Sequence, residues 1–248
     1  MHENPLISII TVCFNAEHHI EATLLSLKQQ SFKNFEHIVI DGASTDSTLE
    51  IIKKQAPEQT FVVSEPDKGL YDAMNKGLKL AKGKYVLFLN AGDSFHNAAT
   101  LQKYADSAKE NPDIIYGDTI IVDFNRKEIG RRHLSVPEKL DKGSFSNGML
   151  ICHQAFMVKK ELTSPYDLSY RFSSDYDWCV KCINRSSSEK CINLKQVTID
   201  YLSDGLSDNH KKDSLKERFL IMTKHYGWPK TVYNHIKFIF RALKRGKI

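Results

Sequence analysis

No apolar run in this sequence approaches the roughly 18 residues that a membrane span needs, so a spanning helix is not expected. The amino end, Met1-His2-Glu3-Asn4-Pro5, lacks the charged-then-apolar pattern of a secretory leader, and a cytoplasmic location is expected. Cysteine is scarce: five residues, an odd number at irregular spacing, which argues against a disulfide framework. Cys179 and Cys182, with Cys191 beyond, lack a second pair at zinc-site spacing and read as buried or half-buried thiols. Glycine is missing where two familiar nucleotide folds require it. The first apolar run is followed by Asn15-Ala16-Glu17, which excludes the dinucleotide fingerprint, and no Gly-x-x-x-x-Gly-Lys-Ser/Thr occurs, which excludes a P-loop. No internal repeat or low-complexity segment is present.

What is there suits one large domain, or one domain with an appendage: 248 residues, 41% hydrophobic. The net charge of +5 hides an asymmetry. Residues 211–248 hold 11 Lys and Arg against 2 Asp and Glu, a net of +9, while the rest holds 24 basic and 28 acidic residues, a net of −4. A basic end on an acidic body points to an anionic partner, lipid or nucleic acid.

Hydrophobic period places strands at Leu6–Cys13, Phe35–Ile40, Thr60–Ser64 and Tyr85–Leu89. Helices at Glu17–Gln30, after Asp46 through Lys54, and Leu70–Ala81 alternate with them. That alternation predicts βαβ units and a parallel sheet. Beyond it, a helix from about Ala98 to Lys109 and a strand Asp113–Tyr116 are predicted. A hairpin of Thr119–Phe124 and Glu128–Arg132 follows, then loops over 133–150. A strand at Ala155–Val158, a helix at Asp175–Asn184 and an extended stretch at Lys190–Leu202 come next. Two terminal helices are broken at Gly227-Trp228-Pro229. The best domain boundary lies near Ser203 to His210.

Four strand ends gather at one edge of such a sheet. They bring Thr11 and Asn15, then Asp41, then Asp67 and Lys68 of a turn, then Asn90 and Asp93. In open α/β sheets ligands bind at that edge. Asp93, delivered by a buried strand that stops in Asn-Ala-Gly-Asp, either holds a metal or substrate or caps the helix starting near Asn97. Several carboxylates without a glycine cradle suit a nucleotide whose phosphates are neutralised by Mg²⁺ or Mn²⁺.

Four segments resemble family 2 glycosyltransferases, which have the GT-A fold. Leu6 to Asn15 looks like their opening strand, and Asp41-Gly42-Ala43-Ser44-Thr45-Asp46-Ser47-Thr48 like their Asp-Asp-Gly-Ser-Thr-Asp-x-Thr segment. Lys82 to Asp93 is similar to the strand that delivers their metal-binding Asp-x-Asp. Ser174-Asp175-Tyr176-Asp177 resembles the later motif that carries their catalytic base. The resemblance covers about residues 5–205 and implies a Rossmann-like, three-layer α/β/α body over 1–205 with a mostly parallel sheet; the charge count and the boundary make 206–248 a basic helical extension. The resemblance implies inverting transfer of a hexosyl or N-acetylhexosaminyl group from a nucleotide-diphosphate sugar, UDP ahead of other nucleotides. The acceptor would be a hydroxyl of a glycan or a lipid-linked acceptor in cell-surface polysaccharide synthesis, the work of the bacterial exopolysaccharide and lipopolysaccharide branch. In that scheme Asp93 holds Mg²⁺ or Mn²⁺ and Asp175 is the general base. By the same resemblance Thr11 and Asp41 contact the nucleoside, Asp41 at the base; Asn15, Asp67, Lys68 and Asn90 of the strand ends, and His153 ahead of the later strand, are read as donor-binding from their places in the chain.

Alternatives stay open at several positions. His153 either faces the crevice or is structural, and Asp177 reads as a carboxylate stabilised by its helix dipole. His210 reads as a solvent-exposed loop histidine rather than an extra metal ligand. Val232, Ile236, Ile239, Phe240 and Leu243 share one face of the last helix, whose lysines and arginines fall largely on another. That helix either meets an anionic membrane, making the protein peripheral at the inner face of the cell membrane, or docks on its own domain. The rival class to an enzyme is a GT-A-like module that binds nucleotide or nucleic acid without catalysis; for an enzyme no nucleic acid is expected.

Overall fold

The computed structural model describes residues 4–203 and 211–243. β1 (Ile7–Cys13), α1 (Ile20–Lys28), β2 (Phe35–Asp41), α2 (Thr48–Gln55), β3 (Thr60–Ser64), α3 (Leu70–Leu80) and β4 (Tyr85–Phe88) alternate as the hydrophobic period predicts. The strands lie in the order β3-β2-β1-β4, all parallel, with Ile10 of β1 opposite both Ile38 and Phe88. Both faces are covered. Ile38 and Ile40 join the large core with Met74 and Leu78 of α3, while Val39 joins Leu24 and Ile52 of α1 and α2. That alternation is what a strand buried on both faces requires. All four strands end at one edge, so their following loops converge.

The rest of the sheet is mixed. β5 (Ser94–Phe95), α4 (Thr100–Ala108), β6 (Ile114–Val122), β7 (Glu128–Arg131), β8 (Phe156–Lys159), α5 (Ser174–Arg185) and β9 (Cys191–Leu202) follow in order. β4 pairs antiparallel with β8, β8 with β6, β6 parallel with β9, and β9 antiparallel with the two-residue β5. β7 closes a hairpin on β6. The predicted strands at 113–116 and 119–124 are one strand, β6, because Gly117 carries the chain through rather than ending it. A Cβ there would lie 2.4 Å from Thr198 Cγ2, so only glycine lets β9 approach, and the β6–β9 register shifts on either side of Asp118.

α6 (Lys211–Tyr226) and α7 (Trp228–Leu243) are separated at Gly227, with Pro229 in the first turn of α7, where a missing N–H costs nothing. Both pack on the body. Ile221 and Met222 belong to the main core. Glu217 accepts the backbone N–H of Arg171 (2.8 Å) and Phe172 (2.9 Å), and the Ser214 and Ser173 hydroxyls pair at 3.0 Å. Asn234 Nδ2 donates to Ser146 O (2.8 Å). Most of the expected boundary, 204–210, and with it His210, lies outside the described residues. Among the described residues no helix is long and apolar enough to cross a membrane.

Candidate active site

The loop after β1 and the loop after β2 are laced together. Asn15, with φ 46°, accepts the Thr45 N–H on its Oδ1 (2.9 Å), and its own N–H donates to Ser44 Oγ (2.8 Å). The Asp46 carboxylate accepts from the Glu17 N–H (3.1 Å) and from Thr48. Asp41 is fully buried and its oxygens are already engaged. Oδ2 accepts from the Ser44 N–H (3.0 Å) and the Ser64 hydroxyl (2.6 Å), and Oδ1 takes the Ser44 hydroxyl. In this structure Asp41 shapes the turn between β2 and α2. Thr11 is likewise turned inward. Its side chain lies inside the sheet, where the hydroxyl donates to Leu89 O (2.7 Å) and meets His37 Nε2 at 3.0 Å. Burial holds His37 down to about 3, so that ring is neutral. With the Thr11 proton given to Leu89, His37 Nε2 carries the hydrogen.

What this edge leaves open is Phe14, 63% exposed, with Asn15, Lys68 and part of Asp67. A Cβ on Gly42 would stand 2.6 Å from Asp67 Oδ2 and 3.4 Å from Phe14 Cδ2. The missing side chain thus lets an aromatic ring and a carboxylate flank one gap.

The end of β4 is arranged differently from the sequence expectation. Asp93 is 4% exposed; its Oδ1 accepts the Leu202 N–H (3.0 Å) and its Oδ2 accepts Gln154 Nε2 (2.7 Å). Burial raises its carboxyl from 3.8 to about 6, against the lowering effect of those two bonds. A divalent cation needs carboxylate oxygens facing a cavity. Here both oxygens bind the chain itself, Gly92 precedes them, and no group of three or more His, Cys, Asp or Glu that could hold a metal occurs among the described residues. In this structure both Asp93 oxygens are held by the chain itself. Asp93 is a clasp that joins the ends of β4 and β9 to the His153–Gln154 turn. Asn90 faces the crevice: its Nδ2 lies 3.4 Å from His153 Nε2, and its Oδ1 is buried without a partner.

Across the crevice stands Asp175, in the first turn of α5. Tyr71 Oη donates to its Oδ1 (3.1 Å), and His153 Nδ1 lies 3.5 Å from its Oδ2. The N-cap of α5 is Ser173, so Asp175 is not the cap. Burial alone would raise its carboxyl; the His153 hydrogen bond and charge, with Arg218 adding to them, outweigh burial and hold it below the usual value. Tyr71 is pushed well above its ordinary value by burial and by that same carboxylate, so it stays a donor. The floor beneath is aromatic. Tyr71 stacks on Tyr166 at 5.6 Å, Tyr166 on Trp178 at 5.2 Å, and Phe88 meets both Tyr166 and Trp178 edge-on. Asp177 faces α6 instead. It is fully buried against His225 Nε2 (2.7 Å) and Lys181 Nζ (2.5 Å), which overcome burial and bring it to about 2.

The structure thus brings Asn90, His153 and Asp175 together, and Phe14, Asn15, Asp67 and Lys68 at the neighbouring end. Sequence reasoning missed Tyr71, Phe14 and the part played by Gln154. The signals were slight: a hydroxyl-bearing aromatic where α3 begins, an aromatic between an apolar strand and a turn, and an amide beside a histidine.

A model of the glycosyl transferase family 2 domain matches residues 8–164. The PGL/p-HBAD biosynthesis glycosyltransferase of Mycobacterium tuberculosis is 36% identical over 188 residues, 73% of this chain and 70% of its own. From Escherichia coli, UDP-Glc:alpha-D-GlcNAc-diphosphoundecaprenol beta-1,3-glucosyltransferase WfgD is 24% identical over 243 residues, 97% and 94% of the two chains. Among solved structures, S. aureus TarS 1–349 superposes with a TM-score of 0.71 at 18% identity, covering 94% of this chain and 72% of that one. The same protein in complex with UDP-GlcNAc gives 0.69 at 22%, covering 87% and 65%. This chain spans only 38% of the longer TarS structure. The fold is GT-A, as expected.

Proposed function

The chain belongs to glycosyl transferase family 2, and from that premise we propose an inverting transfer from a UDP-sugar to a hydroxyl of a glycan or lipid-linked acceptor, with Asp175 as general base. Inversion is one displacement. The acceptor oxygen attacks the anomeric carbon as the bond to the diphosphate breaks, and the acceptor proton passes to a carboxylate. The observation that carries this reading is Asp175 itself: a carboxylate at the crevice, kept ionised despite burial, and oriented by Tyr71 and His153. A non-catalytic binder has no use for that expense of burial.

The UDP end is served by Phe14, whose exposed ring is a stacking shelf, with Asp67 and Asn15 beside it. The unpartnered Asn90 Oδ1 accepts a hydroxyl of the donor. UDP and a lipid-linked acceptor are favoured by what the names of two relatives state of those proteins: WfgD is a UDP-Glc transferase to a diphosphoundecaprenol, and TarS was solved with UDP-GlcNAc. No step is routed through a cation, since both Asp93 oxygens bind the chain itself. We place the reaction at a membrane surface on separate grounds, those of α7.

A panel of UDP-, GDP- and TDP-sugars scored by thermal shift tests the proposal, since a ligand of the native state alone raises its melting temperature. UDP-sugars should stabilise the chain, and slow release of UDP should accompany them. Equal indifference to every nucleotide sugar, with affinity for nucleic acid that falls steeply with salt, would replace this reading with the binding module.

A further inference from the structure

α7 is amphipathic in an unusual sense: its apolar face turns away from the protein. The side docked on the body carries Thr231 and Asn234, both buried, with Phe238 against the core. On the opposite side Trp228, Tyr233, Ile236, Ile239, Phe240 and Leu243 are 48–62% exposed. At 100° per residue those six fill an arc of about 140°, and the helix runs about 24 Å, so the exposed surface is a continuous apolar stripe. No charged residue falls in that arc. Lys230, Lys237 and Arg241 line one flank, drawn over the rings of Tyr226, Tyr233 and Phe238, with Lys237 Nζ 4.4 Å from the Tyr233 centroid. Among the described residues nothing covers the stripe.

We infer that this face is a docking surface for an anionic lipid bilayer, into whose interface α7 lies flat. The occupant is chosen by charge. Residues 211–248 carry a net +9, so a second copy of this chain set on the same face would bring like charge against like, whereas anionic headgroups complement it. The chemistry along the helix fits the same medium: aliphatic side chains for the acyl boundary, Trp228 and Tyr233 as interfacial aromatics, and lysines at headgroup level. The inference stands independently of the sugar chemistry.

Sedimentation with vesicles tests it on the full chain. Native protein should pellet with vesicles of phosphatidylcholine mixed with phosphatidylglycerol, and far less with phosphatidylcholine alone. Ile239→Glu with Phe240→Glu alters only exposed side chains, so the melting temperature should hold while vesicle binding falls at least tenfold. Lys237→Gln, also exposed, should weaken binding to the anionic vesicles about fivefold per charge removed and leave the weak binding to neutral ones unchanged. Undiminished binding by the Ile239→Glu/Phe240→Glu chain would overturn the inference. So would a concentration-dependent dimer of the native chain, seen by light scattering and abolished by those same substitutions.

Discussion

Replacing Asp175 by Asn separates catalysis from architecture, and the surrounding contacts set the sizes of both effects. The Asn oxygen still accepts from Tyr71 Oη, now at 3.1 Å from Oδ1. Its amide group faces His153 Nδ1, which must then accept, so the ring hydrogen moves to Nε2. That hydrogen needs an acceptor 3.4 Å away, and Asn90 can supply its unpartnered Oδ1 by turning its amide. The network re-registers without a broken bond. What is lost is the charged character of two hydrogen bonds, those from Tyr71 and His153, about 2–3 kcal/mol together, or roughly 4–12 °C in melting temperature for a chain of this size. Ser173 and not Asp175 is the N-cap, so no cap is lost. Turnover is another matter. An amide cannot take the acceptor proton, and loss of a general base costs roughly 10²–10⁴-fold, about 3–5 kcal/mol of barrier. UDP release in the presence of acceptor gives turnover, and calorimetry with UDP, whose proposed contacts at Phe14 and Asp67 lie apart from this network, gives nucleotide affinity, which should stay close to native. Native turnover in the Asp175→Asn chain refutes the assignment. Asp177 could not inherit the role, because His225 and Lys181 hold it on the far side of α5.

Tyr71→Phe removes a hydrogen bond to a charged group, about 1.5–3 kcal/mol, so the acid limb of kcat/KM should move up by about 1–2 pH units with donor KM unchanged; an unmoved limb refutes the clamp. Phe14→Ala should weaken UDP binding about tenfold, the loss of one stacked base, and spare the melting temperature of this exposed site; calorimetric titration with UDP decides. Asp93 has a raised folded value, so the stability it contributes is complete below 3.8 and is lost as pH rises through about 6. That is about 3 kcal/mol over this window, and urea midpoints should show it in the native chain but not in Asp93→Asn. Whatever response to Mn²⁺ the native enzyme shows should persist in Asp93→Asn; its disappearance would make Asp93 a ligand.

The parallel half of the fold was legible because β1 and β2 are rich in apolar β-branched residues and β4 is an unbroken apolar run, with helical period between them. β5 was not, because two residues carry no period and their partners Ile199 and Asp200 lie more than a hundred positions away. Gly117 looked like a stop and is a passage, since sequence shows a missing side chain but not the strand pressed against it. At the site, the sequence named positions and not directions. Thr11, Asp41 and Asp93 each sit at the predicted edge with their polar atoms turned inward. Asp175 was found through its motif, but Tyr71, its partner across 104 residues, could only be found in space. For α7 the helical wheel showed an apolar face; that the polar side would be the docked one required Ser146 and Asn234 to meet.

The seam between α5 and α6 has a consequence for acceptor choice. Glu217 grips the backbone at Arg171 and Phe172, and Ser214 grips Ser173, directly ahead of Asp175. α7 follows α6 after a single residue. A bilayer that held α7 would therefore hold Asp175 at a fixed height, as a gauge does. Acceptors would be sorted by reach, with a hydroxyl standing too near the lipid or too far from it passed over although its sugar is chemically sound.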